Sequence, residues 1–392
     1  MVQYIKEMQA EELMQSNSQR NGAPRTSANV KHQQWPGQKY WIILFTTVVL
    51  LIAFTASFFV LLILDGTDDG YKDFKDDQNF SSSTNKKPNV NTNKEPLYPT
   101  AATRSDYVAQ SSDYSKQIGG MIQSNNAVLV ELGSYQAIAE KDADVKIYPA
   151  SMTKVMTLLV ACENLTSLTK KLTVTQEAID YKRAQGGSGL LVDSSLGDAF
   201  TIEDLLYILS YDSDTIACLL LAKEVAGSEA AFVELMNEKA RSLGLTSTHF
   251  TNSTGLHNED HYSTCREMAA IMAYALDNTL ARRILLSTED KKFIAYKGNT
   301  DTVEVNYYGS PDWYQIKEGS RFKGNVKLET VTVKGGKTGY TDEAGVCLVS
   351  YAESNSTGKC YINVIVGKPK GSGVTESVST TDVKYIYNNY AE

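Results

Sequence analysis

Residues 148–157, YPASMTKVMT, set Ser151 and Lys154 three positions apart, where Met152, Val155, Met156, Leu159 and Val160 recur at helical spacing. One helical turn brings both side chains to the same face, within reach of each other. A serine hydroxyl is a poor nucleophile until a neighbouring base takes its proton, and a neutral lysine is such a base. Helix stability does not ask for this lysine. The first turn carries partial positive charge from unpaired N–H groups, which disfavours a cation, and a capping box would place Glu or Gln there. The plainer reading is a helix entered through Pro149, capped by Ser151, with an exposed lysine. The same spacing recurs at Ser83/Lys86, Ser167/Lys170, Ser320/Lys323 and Ser356/Lys359, so spacing alone decides nothing.

A second group lies in KGGKTGYTDEAG, residues 334–345. Lys337-Thr338-Gly339 follows an apolar strand and precedes a loop. The cation can hold a carboxylate, the hydroxyl can hydrogen-bond it, and the glycine lets a substrate backbone come close. A β-turn with a surface lysine is the alternative. His257 and His261 in GLHNEDHYS lack the spacing of a helical metal site and read as a hydrogen-bonding loop. Glu203 and Asp204 are adjacent, hence divergent on a helix, and read as first-turn dipole partners.

These residues need a scaffold, and the segments around them supply an α+β pattern. Residues 126–132 and 133–141 read as two strands around a Gly-Ser turn. Residues 151–165, 201–227 and 228–245 read as helices with broad apolar faces, the second opened by Thr201 with Asp204 and the third capped by Ser228. Residues 329–336, 344–353 and 359–367 read as strands, and TTDVKYIYNNY as a closing helix. Strands at both ends with helices between imply one sheet assembled from both ends of the domain.

The 392-residue chain carries a net charge of −8 and no basic block of the kind nucleic acid needs, so no nucleic-acid partner is expected. Its five cysteines, Cys162, Cys218, Cys265, Cys347 and Cys360, form no C-x-x-C pair. That pattern argues against a zinc site, and no metal or other cofactor is expected. A bridge between Cys347 and Cys360 is conceivable across the last hairpin, with free buried thiols the leading reading. Residues 41–64, WIILFTTVVLLIAFTASFFVLLIL, contain no charge and exceed the roughly 20 residues a bilayer span requires. Arg20, Arg25, Lys31 and Lys39 precede this run and a cluster of aspartates from Asp65 follows it. Positive flanks stay in the cytoplasm. The expected organisation is a disordered cytoplasmic tail at 1–40, a transmembrane anchor at 41–64, an extracytoplasmic linker at 65–114 and a catalytic domain at 115–392.

Ser-x-x-Lys at a helix start followed by Lys-Thr-Gly on a late strand is the order seen in penicillin-binding proteins and serine β-lactamases. The chain resembles the serine-type D-alanyl-D-alanine carboxypeptidases within that group. The resemblance rests on YPASMTKVMT, TIEDLLYILS, VAGSEAAFVELMNEKARSLGL, HFTNSTGLHNEDHYST and GGKTGYTDEAGVCLVSYAE, in that order over residues 118–392. It implies a β-lactamase/transpeptidase-like fold, an antiparallel sheet flanked by helices with a helical subdomain. It also implies hydrolysis of peptidoglycan stem peptides ending in D-Ala-D-Ala through an acyl-enzyme on Ser151, and acylation by β-lactams. Lys154 would be the base, Ser213 the proton relay and the N–H groups of Ser151 and Tyr340 the oxyanion hole. Lys337, Thr338, Gly339 and Tyr340 would line the substrate site.

The family's Ser-x-Asn motif, carried there on a loop between helices, falls at Ser213-Asp214-Thr215, with threonine in the asparagine's place. A shift to Ser210-Tyr211-Asp212 would break the count from both flanking segments. Threonine offers one short hydroxyl where asparagine offers an acceptor and two donors. Weaker substrate positioning is the expectation, and a stem-peptide binder with little turnover is the alternative. A secreted β-lactamase fits less well, because no counterpart to the deacylating glutamate is visible.

Overall fold

The computed structural model describes residues 97–100, 106–297, 306–309, 326–367 and 376–392. The tail at 1–40, the apolar run at 41–64 and most of the linker lie outside these residues. Among the described residues no helix is long and apolar enough to cross a membrane.

The strands are β1 (Lys116–Gln117), β2 (Asn126–Glu131), β3 (Gln136–Lys141), β4 (Lys171–Thr173), β5 (Asp198–Thr201), β6 (Lys291–Ile294), β7 (Tyr296–Lys297), β8 (Asn306–Gly309), β9 (Val326–Lys327), β10 (Val331–Thr341), β11 (Gly345–Ser354) and β12 (Cys360–Val366). The main sheet has the order β1-β3-β2-β12-β11-β10-β9. Both ends of the domain meet at its centre, where β2 pairs with β12, Asn126 opposite Val366. The sheet is mixed rather than purely antiparallel, because the two residues of β1 run parallel to β3. Elsewhere in it the pairs are antiparallel.

The helices are α1 (Lys154–Asn164), α2 (Gln176–Gln185), α3 (Ile202–Tyr211), α4 (Thr215–Ala226), α5 (Glu229–Ser242), α6 (Cys265–Asp277), α7 (Thr279–Leu285) and α8 (Glu376–Tyr390). Thr201 caps α3 through the N–H of Asp204 at 3.1 Å, and Ser228 caps α5 through that of Ala231 at 3.2 Å, both as their sequences predict. The stretch at 201–227 is two helices, not one: Asp212-Ser213-Asp214 interrupts it, and Asp214 caps α4. Apolar periodicity continues across the interruption, which is why the break is invisible to a pattern reading. The helices α2, α6 and α7 have no counterpart in that reading either. α2 is only half amphipathic, with Ala178 and Ile179 as its buried residues, whereas α6 is buried nearly all round.

Strand alternation divides the core in two. Val128, Val130, Val349, Ile362 and Val364 face the helices α1 and α3–α7. Leu129, Leu348, Tyr361 and Ile365 face the other way, against Val383, Ile386 and Tyr387 of α8. Asp382 pins α8 down by accepting from the N–H groups of Gln123 and Ser124 and from the Ser124 hydroxyl, at 3.1, 2.7 and 2.6 Å. Tyr107 and Ala109, inside the stretch read as linker, are buried in the larger core. Arg266 on α6 joins this entering segment to the sheet. It reaches Glu140 and Asp144 at 2.6 Å each and donates to the carbonyl of Ala109 at 3.1 Å. All five cysteines are free; Cys347 stands opposite Val366 and Cys360 opposite Glu353, so the hairpin register keeps the two apart.

Candidate active site

The helix bearing Ser151 begins with a 3-10 turn, Ala150–Thr153, and becomes α-helical at Lys154. Ser151 does not cap it: neither the 3-10 turn nor α1 has a side-chain cap. Its hydroxyl instead accepts from Lys154 Nζ at 3.1 Å. Lys154 is also not the exposed lysine of the plainer reading. It is 2% exposed, whereas Lys170 and Lys359, in two of the other Ser-x-x-Lys pairs, have side chains 54% and 39% exposed. Burial is what separates the pair at 151/154 from the two look-alikes among the described residues. Ala150 holds φ +47°, a left-handed conformation that costs a non-glycine residue about 1–2 kcal/mol, immediately before Ser151.

β10 brings the second group against this turn. Lys337-Thr338-Gly339 lies inside the strand, not in the loop after it, because β10 continues to Thr341. A Cβ on Gly339 would stand 3.0 Å from Ser151 N, and 3.1 Å from Met152 N and Pro149 O, so only glycine allows this approach. Lys337 is 1% exposed and its Nζ donates to the carbonyl of Thr338 at 3.2 Å. Tyr340 is half exposed at the rim, its phenol donating to Asp342 at 3.1 Å. β9 pairs with β10 at Thr332 and Val333 alone, and among the described residues no strand pairs with the same edge over residues 336–341.

The interruption between α3 and α4 forms the third side. Ser213 has φ +54°, and among the described residues neither its buried hydroxyl nor that of Thr215 has a hydrogen-bond partner. Asp214 anchors the segment. One carboxylate oxygen accepts from Ala217 N at 2.8 Å and the other from Leu191 N at 2.7 Å. Burial pushes this carboxyl up to about 6, against those two N–H groups and the charges of Lys182 and Lys154. Cys218, one turn along α4, feels Lys154 and Lys337 together, and burial raises its thiol to about 12. The start of α4 therefore shares one neighbourhood with both lysines.

The fourth side is the loop 251–261. His261 accepts from Thr251 N at Nδ1 (3.1 Å), so its Nε2–H donates to Thr153 Oγ1 at 2.7 Å. Burial, then the nearby charges of His249 and Lys154, lowers it to about 3 and keeps it neutral. The hydrogen-bonding role read from sequence is the one it has. Lys154 Nζ also donates to the carbonyl of Thr254 at 2.5 Å. No sequence reading could single out Thr254, since it contributes a backbone oxygen that every residue type carries.

The helices packed on a mixed sheet, with a serine–lysine pair beside one strand edge, make this an α+β fold of the penicillin-binding, transpeptidase-like class. The chain belongs to the D-alanyl-D-alanine carboxypeptidase family, peptidase S11, whose model matches residues 111–370. It is 30% identical over 241 residues to a D-alanyl-D-alanine carboxypeptidase of Bacillus subtilis, an alignment covering 60% of this chain and 55% of that protein. Against a Streptomyces D-alanyl-D-alanine carboxypeptidase it is 31% identical over 259 residues, covering 64% and 80%. The chain thus spans about half the length of the Bacillus relative and most of the Streptomyces one. The crystal structure of a Streptomyces DD-transpeptidase superposes with a TM-score of 0.55 at 25% identity, covering 68% of this chain and 96% of that one.

Proposed function

We propose that the protein is a membrane-anchored serine DD-carboxypeptidase that removes the terminal D-alanine from peptidoglycan stem peptides and is acylated by β-lactams. The observation that carries this reading is the buried Lys154 amine 3.1 Å from the Ser151 hydroxyl. Family membership favours the hydrolase over the stem-peptide binder. The uncharged run at 41–64, flanked by cations before and aspartates after, supports an anchor with the catalytic domain outside the cytoplasm.

Among the described residues no strand lies along the edge of β10 over 336–341, and such an edge suits an extended peptide, which can add to the sheet as a further strand. Lys337 and Thr338 would hold its terminal carboxylate. Burial of Lys154 disfavours charge and favours the free amine that a base requires. That amine takes the Ser151 proton as Oγ attacks the carbonyl carbon of the penultimate D-alanine. The oxyanion that forms is held by the N–H groups of Ser151 and Tyr340, such donors being worth about 3–4 kcal/mol each in a barrier. Ser213 passes the proton to the leaving nitrogen, the C–N bond breaks and D-alanine departs. Water then hydrolyses the Ser151 ester and restores the hydroxyl.

The test uses the full chain in detergent with a fluorescent penicillin and, separately, a peptide ending in D-Ala-D-Ala. Stable label on Ser151 together with D-alanine release is the expected result. Label without release would establish the binder instead, and rapid loss of label would establish a β-lactamase. A wild-type chain that takes no label refutes the serine mechanism.

A further inference from the structure

Three consecutive residues of the loop before α6 run along one face of the helix that carries Ser151 and Lys154. Thr157 Oγ1 donates to the carbonyl of Ser253 at 2.6 Å, and Lys154 Nζ to that of Thr254 at 2.5 Å. Gly255, at φ +78°, lies so close to Ala150 that a Cβ would stand 2.0 Å from the Ala150 carbonyl oxygen. Positions 150, 154 and 157 fall one turn apart, so the segment lies along the helix as a strip. Asn252 shapes that strip. Its Oδ1 accepts from Thr254 N (3.1 Å), Thr254 Oγ1 (3.0 Å) and Gly255 N (2.7 Å), while its Nδ2 donates to the carbonyl of Leu256 at 2.9 Å. Glu229 at the start of α5 steadies the outer side, accepting from Ser253 N at 3.0 Å and Ser253 Oγ at 2.8 Å.

We propose that Asn252 is a positioning residue for the serine–lysine pair: it fixes the Thr254 carbonyl so that this carbonyl holds the Lys154 amine toward Ser151. The inference rests on Lys154 being the base. A neutral amine has two N–H groups and one lone pair. In the structure Nζ donates to Ser151 Oγ at 3.1 Å; in the neutral amine, anchoring one N–H on Thr254 O restricts rotation about Cε–Nζ and lets the lone pair turn to the same hydroxyl. Release of the anchor lets the amine turn among settings of which few are productive. A carbonyl acceptor also favours the protonated amine, so its loss shifts the balance toward the free base. Asp214 and Cys218 on α4 and His261 in the same loop are among the groups that feel the charge of Lys154, and a change at Asn252 leaves all three in place.

The rate of acylation of the full chain in detergent by a fluorescent penicillin, followed across pH, tests this. Asn252→Ala is expected to lower the plateau rate about 10–100-fold and to move the acid limb of the profile to lower pH. Asn252→Asp keeps the acceptor oxygen and is expected to recover most of the rate, with the acid limb at or above its wild-type position. An alanine variant within about threefold of wild type, acid limb unmoved, overturns the proposal. So does an equal loss in both variants with the limb in place, which would make Asn252 a purely structural group. If the alanine variant does not fold, Asn252→Ser carries the same expectation, since its short hydroxyl cannot span all three donors. An unlabelled wild type would instead remove the base role of Lys154 itself, a failure distinct from one confined to the variants.

Discussion

Gly339→Ala puts one methyl group between the two halves of the proposed site. The new carbon would meet three main-chain atoms, Ser151 N at 3.0 Å and Met152 N and Pro149 O at 3.1 Å. Comfortable contact for a carbon is about 3.5–4.0 Å. None of the three can swing aside as a side chain could, so β10 must retreat from the 3-10 turn by about half an ångström. Overpacking of this kind costs about 1–3 kcal/mol, which in a domain of this size lowers Tm by a few degrees and leaves it folded. The effect on chemistry is larger. If the carbonyl under attack lies between Ser151 and the N–H of Tyr340, separating them misplaces nucleophile and oxyanion donors together, and a misplacement near 1 Å costs about 100-fold. The expected result is a 10–100-fold slower acylation by fluorescent penicillin, with an unchanged far-ultraviolet circular dichroism spectrum. A folded variant acylated within about twofold of wild type would mean that β10 does not line the reacting atoms.

Other outcomes follow from single contacts. Lys337→Gln removes the cation proposed to hold the substrate's carboxylate, so the peptide's kcat/KM should fall about 100-fold; an unchanged value would refute that role. Arg266→Ala strips a buried guanidinium from Glu140, Asp144 and the Ala109 carbonyl. Urea unfolding should show a loss of about 2–4 kcal/mol, and a loss below about 0.5 kcal/mol would assign these contacts no net worth. Asp214 is raised from 3.8 to about 6 by burial, so its contribution to stability is fully present below its unfolded value and is lost as pH climbs through about 6. Asp214→Asn does not titrate. Its stability relative to wild type should therefore rise by on the order of 3 kcal/mol between about pH 4 and pH 7; a pH-independent difference would contradict the burial argument.

Much of the frame was legible because apolar alternation and capping residues are local signals. The strand at 126–131, the last hairpin, and the caps at Thr201 and Ser228 lie where those signals put them. The family motifs named the candidate residues by side-chain type, and the fold brings Ser151, Lys154 and Lys337 into one neighbourhood. Three things escaped the pattern reading, although the resemblance does set the first of them, at Ser213-Asp214-Thr215, on a loop between helices. The break at 212–214 hides inside a continuous apolar pattern. It depends on the left-handed Ser213 and on Asp214 reaching Leu191 across the fold, a contact with no sequence period. The helix α6 is buried on nearly every side, which erases the amphipathic stripe by which a helix is read. The Thr254 carbonyl that holds the Lys154 amine is backbone chemistry, and only the fold can place it.

The pairing of Asn126 with Val366 has a consequence for how the protein comes into being. Strands joined across almost the whole domain give a high contact order, and such closures are slow because the intervening loop must lose its entropy first. A nascent chain that has reached Tyr340 already holds every residue assigned to the chemistry, but β10 has no β11 and β2 has no β12. Shortened products ending there should be inert despite their complete set of motifs, and competence to react should arrive only with the final strand and α8.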